Sequence, residues 1–150
     1  HGQADAVRLL IESGASVGAT TGRGSTALAI ACQEGQLDCV RLLLGANADA
    51  DQAKDDGATP LYIACQKGQL ECVRLLLGAS AAINQAKDDG GTPLHKACQN
   101  GQVEIARLLL EASAAIDQAT RDGATPLLGA CIQGHLEVAK LLSSYGASRH

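Results

Sequence analysis

The sequence predicts an all-α repeat solenoid, a stack of helix-turn-helix units, and three observations predict it. A threonine opens a T-[PA]-L triplet at Thr26, Thr59, Thr92 and Thr125, each 33 residues after the last. A glycine opens a second motif, G-[QH]-x-[DE]-x-x-[RK]-L-L, at Gly2, Gly35, Gly68, Gly101 and Gly134, on the same interval. The third observation concerns what fills the interior: among 150 residues there is no Phe, Trp or Met and only two Tyr. Leu, Ile, Val, Ala and Cys must then form the core, which suits short elements that approach closely better than a wide globular centre. A fixed period of this length marks an array whose units bury their apolar faces on one another.

Within a unit the local signals run in order. Thr59 fits an N-cap, and Pro60 follows at the first helical position, where its missing N–H costs nothing and its fixed φ helps. Gly68 stops that helix after about two turns. A second helix runs through "QLECVRLLL" and ends near Leu77. Neither reaches the ~12 to 15 residues at which an isolated helix is marginal in water, so each must be held by its neighbours. The second helix places Leu70, Val73 and Leu77 at i, i+3 and i+7, and Cys72, Leu75 and Leu76 widen that stripe. What remains polar carries opposite charges at i, i+3 in every copy: Asp5/Arg8, Asp38/Arg41, Glu71/Arg74, Glu104/Arg107 and Glu137/Lys140. This strip reads as a solvated outer face. Between the second helix and the next threonine, "DDG" or "RDG" predicts a turn able to project a hairpin. The period divides one domain, 1–150, into a partial repeat at 1–20, full repeats at 21–53, 54–86 and 87–119, and a C-terminal repeat at 120–150.

A 33-residue unit carrying "TPLHKA" at 92–97, with the variants "TPLYIA" (59–64), "TPLLGA" (125–130) and "TALAIA" (26–31), resembles the ankyrin repeat. The resemblance implies an ankyrin array of helix-turn-helix units with projecting β-hairpin fingers, stacked in an L-shaped section. It also implies a non-catalytic scaffold that binds a protein or peptide partner on a concave face lined by the fingers and the first helices, with no cofactor. Carried over position by position, the partner-binding residues are Ile30, Asp55, Asp56, Tyr62, Ile63, Gln66, Lys67, Asp88, Asp89, Lys96, Gln99, Arg121 and Ile132. Within that set Ile30, Tyr62, Ile63 and Ile132 are apolar at positions the family leaves open to the concave face, and Tyr62 with Ile63 forms the expected anchor inside a polar rim. The competing reading is that Tyr62 merely covers the neighbouring turn.

Two departures from the family pattern carry expectations. The glycine that usually follows the second helix in the left-handed conformation is here Gly14, Asn47, Ser80, Ser113 and Gly146, and a left-handed serine is strained relative to glycine by ~1 kcal/mol. The histidine of T-P-L-H, which in the family ties turn to helix, survives only as His95. Ala29, Tyr62 and Leu128 replace it, so those turns are expected to be less ordered. Asn84 resembles the hairpin asparagine that is hydroxylated in some ankyrin proteins, with Gly18, Asp51 and Asp117 at equivalent places.

Charge and composition narrow the partners. With 12 basic against 16 acidic residues the net charge is -4, which supplies no basic field for nucleic acid, and aromatic stacking platforms are lacking. No apolar run approaches the ~18 to 20 residues that span a bilayer. Acidic tips at Asp55, Asp56, Asp88, Asp89 and Asp122 favour a basic partner segment, though solvated turns explain them as well. The chain begins at a second helix, so an uncapped N-terminal end is expected to favour self-association. A structural spacer, or a self-associating segment of a longer array, is the alternative to partner binding.

Six cysteines raise metal and redox chemistry. Cys32, Cys65, Cys98 and Cys131 recur at one position of the first helix, and Cys39 and Cys72 in the second. Equivalent positions of stacked helices lie ~8 to 10 Å apart, too far for a disulfide, and zinc needs four donors at one point. The expectation is buried reduced thiols acting as small hydrophobes, which fits an intracellular setting, cytoplasm or nucleus. Cys98 and His95, three apart, lack the third member a cysteine nucleophile needs. The "KDDG" tips lack the further oxygens of a calcium loop.

Overall fold

The computed structural model describes residues 2–148. Each T-[PA]-L threonine starts a helix by one device: its backbone is extended and its Oγ1 accepts the N–H three residues on, from Ala29, Tyr62, His95 or Leu128, at 3.1 to 3.3 Å. That bond satisfies one of the free N–H groups at a helix start. Among the described residues nine helices result: α1 (Gly2–Glu12), α2 (Ala27–Glu34), α3 (Leu37–Gly45), α4 (Pro60–Lys67), α5 (Leu70–Gly78), α6 (Pro93–Gln99), α7 (Val103–Glu111), α8 (Pro126–Ile132) and α9 (Leu136–Ser144). Gly35 and Gly68 end α2 and α4 in the left-handed region, at φ 68° and 70°. At Gly35 it is the positive φ that calls for glycine, since a Cβ there would meet only the movable end of the Gln69 side chain.

The helices form two layers. α2, α4, α6 and α8 stack in one, α1, α3, α5, α7 and α9 in the other, and α2/α3, α4/α5, α6/α7 and α8/α9 pair across them. The helix pairs stack in series, the arrangement expected of the period. Leu28, Leu61 and Leu94 of the first layer and Val40, Val73, Leu76, Leu109 and Leu142 of the second are fully buried between the layers. Each such leucine contributes about 1.5–3 kcal/mol of burial, which is what holds helices too short to stand alone. Four of the five expected ion pairs close on the outer face, Asp5/Arg8, Asp38/Arg41, Glu71/Arg74 and Glu137/Lys140, at 2.9 to 3.5 Å. Glu104/Arg107 does not close among the described residues.

Asn47, Ser80 and Ser113 are left-handed, at φ 60°, 61° and 68°, as the departure from glycine predicts. The fingers differ from expectation in detail. They are tight turns rather than paired strands: among the described residues the one β-bridge joins Thr20 and Thr26. Each turn is closed by its own backbone, Lys54 N–H to Ala58 O and Gly57 N–H to Lys54 O at 2.9 Å, and likewise at 87–91 and 120–124. These bonds need no histidine, so the turns above Ala29, Tyr62 and Leu128 are as well formed as the one above His95. His95 itself departs from its expected role. The residue is 3% exposed, and neither ring nitrogen has a protein partner.

Ties that the period alone does not reveal run between units. Asp51, Asn84 and Asp117 each accept, through Oδ1, the N–H of the residue 31 positions on, Ala82, Ala115 and Ser148, at 2.7, 2.8 and 2.9 Å. Asn84 is thus part of the stacking machinery.

Candidate functional site

The finger tips form a stitched row. Asp55 N–H donates to Arg23 O at 3.4 Å, Asp88 N–H to Asp56 O at 3.1 Å and Arg121 N–H to Asp89 O at 2.9 Å. One backbone bond per junction therefore fixes the spacing of the tips, and it leaves Asp55, Asp56, Asp88, Asp89 and Arg121 exposed. Asp56 and Asp89 fold back on their own turns, accepting the N–H of Ala58 and Gly91 at 3.2 and 2.8 Å. Asp122 is likewise held by the hydroxyl of Thr120.

Lys87 stands between the two central tips. Its Nζ lies 3.4 Å from Asp56 Oδ2, 3.9 Å from Asp89 Oδ2 and 5.9 Å from the centre of the Tyr62 ring. Slight desolvation pushes the Asp56 carboxyl upward, but the Ala58 N–H and the Lys87 ammonium outweigh it and the group sits below its ordinary value. The Tyr62 hydroxyl is pushed up to about 12, first by burial and then by the charges of Asp89 and Asp56. Sequence reasoning missed Lys87. The available signal was a lysine directly before each pair of aspartates, which a turn must bring back beside the acids of the adjacent finger.

The expected apolar anchors do not lie on an open face. Tyr62 is 7% and Ile63 5% exposed, packed with Ala29 and Ala58 in a small apolar cluster beneath the fingers. The next finger covers Tyr62: a Cβ at Gly91 would lie 3.9 Å from its ring, and Lys87 sits above it. Ile30 and Ile132, by contrast, are 43% and 69% exposed. Along the first-layer helices Gln66, Lys67 and Gln99 are exposed and Lys96 is half-buried, donating to Gln99 Oε1 at 3.3 Å. The structure thus brings together the acids of the tips with Lys87 above Tyr62, and leaves below them an exposed strip of Ile30, Gln66, Lys67, Gln99 and Ile132.

The cysteines divide. Five are buried and reduced, whereas Cys131, expected in the core, is exposed because no further helix pair covers α8 among the described residues. Burial pushes the Cys98 thiol up to about 12 and lowers His95, despite the opposing charges of Asp122 and Asp89. Cys98 is therefore a thiol at neutral pH and His95 an uncharged imidazole. Cys32 is raised, first by the neighbouring Cys72 thiol and then by burial, a diagonal proximity between units that the ladder argument overlooked. Among the described residues no three of His, Cys, Asp and Glu converge as a metal site would require, and no helix is long and apolar enough to cross a membrane.

Stacked helix pairs, threonine caps and stitched turns are accompanied by a direct match: the family described as ankyrin repeats (3 copies) matches residues 1–87 and 79–149. The chain belongs to the ankyrin-repeat family. No curated protein matches it. The finger tips repeat closely, with AKDDG at both 53–57 and 86–90, while the first helices differ more from unit to unit. Together they carry the acids, amides and isolated isoleucines described above.

Proposed function

We propose that this ankyrin array is a non-catalytic interaction module, one domain over 1–150, that holds a protein or peptide on its finger tips and the exposed side of its first helices. The observation that carries the reading is the row of exposed acids, Asp55, Asp56, Asp88 and Asp89, spaced by backbone bonds above exposed Ile30, Gln66, Lys67, Gln99 and Ile132. A rigid, pre-spaced row binds without having to be ordered first. Lys87 neutralises the inner acids, Asp56 and Asp89, and leaves Asp55 and Asp88 to meet a basic partner segment, with Arg121 at the end of the row. Ile30 and Ile132 supply apolar contacts. Lys96 braces Gln99, and Tyr62 with Ile63 forms the floor that sets the height of the fingers. Buried thiols suit a reducing interior such as the cytoplasm or nucleus. The acidic balance disfavours nucleic acid, and no cofactor is required.

The test is a peptide-display selection on the immobilised array, followed by anisotropy titration of enriched peptides. Enriched sequences rich in Lys and Arg, whose binding falls at least ~10-fold in Asp55→Asn/Asp88→Asn and weakens with salt, support the reading. Peptides indifferent to that variant and to Gln66→Ala/Gln99→Ala would sink it. A second reading, a structural spacer or self-associating segment of a longer array, is favoured by the likeness of the middle units, which both carry AKDDG, at 53–57 and 86–90.

A further inference from the structure

Two exposed rows recur with the period of the array. Along the first helices an amide stands once per unit, at Gln33, Gln66 and Gln99. Gln33 spends a donor on Glu34 and keeps its oxygen, whereas Gln99 gives its oxygen to Lys96 and keeps its donors. Above them the tips present Asp55, Asp88 and Arg121, again 33 residues apart and all exposed. Their neighbours Asp56, Asp89 and Asp122 are folded back on their own turns. The outward row therefore reads negative, negative, positive. Its spacing is that of the stacked helices, ~8 to 10 Å, and the backbone bonds from Asp88 N–H to Asp56 O and from Arg121 N–H to Asp89 O hold it.

We infer that the occupant of these rows is a polyproline II segment whose charges fall on every third residue, in the pattern base-x-x-base-x-x-acid. A polyproline II helix has three residues per turn and rises 3.1 Å per residue, so side chains on one face recur at about 9 Å, the spacing of the units. A β-strand repeats its face every second residue, at about 6.6 Å or 13 Å, and falls out of step by the second tip. An α-helix can match the spacing with residues seven apart, at about 10.5 Å, but its backbone groups are already paired and leave nothing for the amides. The polyproline II backbone has no internal hydrogen bonds. Each turn thus offers an unpaired group to the glutamine below while one charged side chain reaches the tip above. Arg121 fixes the register, because sliding the segment by one unit would set a base against it. That repulsion supplies specificity which a wholly acidic row would lack.

This inference rests on the interaction-module reading and specifies its partner, so the experiment separates the two. Anisotropy titrations at low salt use the whole chain and end-capped peptides carrying Lys-Pro-Ala-Lys-Pro-Ala-Glu, the same charges in reverse order, isomers of equal composition with the lysines two or four apart, and an alanine-rich helical peptide with lysines seven apart. The better of the two chain directions should bind at least ~5-fold more tightly than every isomer and than the helical peptide. That preference should vanish in Asp55→Asn/Asp88→Asn. Exchanging the peptide's Glu for Lys should change affinity by a factor at least ~5-fold different between the wild type and Arg121→Glu, and by less in the isomers. The altered residues are exposed, and circular dichroism checks that each variant is folded. Peptides that all bind alike whatever their spacing, or a preference for the helical one, overturn this inference and leave the interaction module standing. No binding by any basic peptide up to ~1 mM, about -4 kcal/mol, overturns both.

Discussion

Lys87 Nζ lies 5.9 Å from the centre of the Tyr62 ring while reaching Asp56 Oδ2 at 3.4 Å. One ammonium therefore ties the tip of one finger, the base of the next and the only tyrosine of the interior. With Tyr62 only 7% exposed, the ring belongs to the scaffold. Tyr62→Ala should lower stability by about 2–4 kcal/mol, read as a lower urea midpoint with an unchanged slope. Lys87→Met keeps the stem over the ring but removes the charge. It should cost only ~0.5–1 kcal/mol, since Asp56 is half exposed. A Tyr62→Ala variant as stable as the wild type would return this residue to the list of surface anchors.

Ser80 and Ser113 occupy the left-handed region at φ 61° and 68°, where a Cβ is crowded and glycine is not. Ser80→Gly and Ser113→Gly should each gain ~0.5–1 kcal/mol, a rise of about 1–4 °C in Tm for a chain of this size. Scanning calorimetry of the two single variants and the double variant tests this. The double should show the sum, because the sites lie in different units.

Asn84 and its equivalents Asp51 and Asp117 all accept the N–H of a residue 31 positions on. At these three positions an amide or a carboxylate serves as the acceptor, whereas Gly18 at the equivalent place of the first unit offers none. Asn84→Asp should leave stability within ~0.5 kcal/mol. Asn84→Leu strands the Ala115 N–H and should cost about 1–3 kcal/mol, measured by urea denaturation.

What was legible in the sequence and what was not separates by range. Thr59 capping Tyr62 N–H, Pro60 at the first helical position, Gly68 as a stop and Asp38 reaching Arg41 all act within one or two turns, where spacing determines contact. The positive φ of Ser80 was legible for the same reason. Tyr62 was misplaced because its burial depends on the finger of the following unit, on Gly91 and Lys87, far along the sequence, and Ile63 packs in the same small cluster. Cys131 has the same local sequence signals as Cys98 and differs in that no unit lies above it among the described residues. The His95 ring, expected to tie a turn, packs without a partner because the turn closes on its own backbone. Repetition defines the scaffold, but the surface depends on how neighbouring copies differ.

His95 offers a test by pH. Burial holds its folded-state pKa below the ordinary 6.5, with Asp122 and Asp89 opposing in part, and Lys96 beside it on α6 adding no help to a cation. The folded state therefore binds the proton less well than the unfolded chain. Its contribution to stability is fully present above pH 6.5 and is lost as the pH falls from 6.5 toward the lower folded value. Urea midpoints of the wild type should thus decline between pH 7.5 and pH 5. His95→Leu, which places at this position the residue that α8 carries as Leu128, should flatten that decline, while the steeper loss below pH 4.5 from carboxylates such as Asp56, held below its ordinary value, persists. If the two proteins lose stability in parallel between pH 7.5 and pH 5, the ring is not the group responsible.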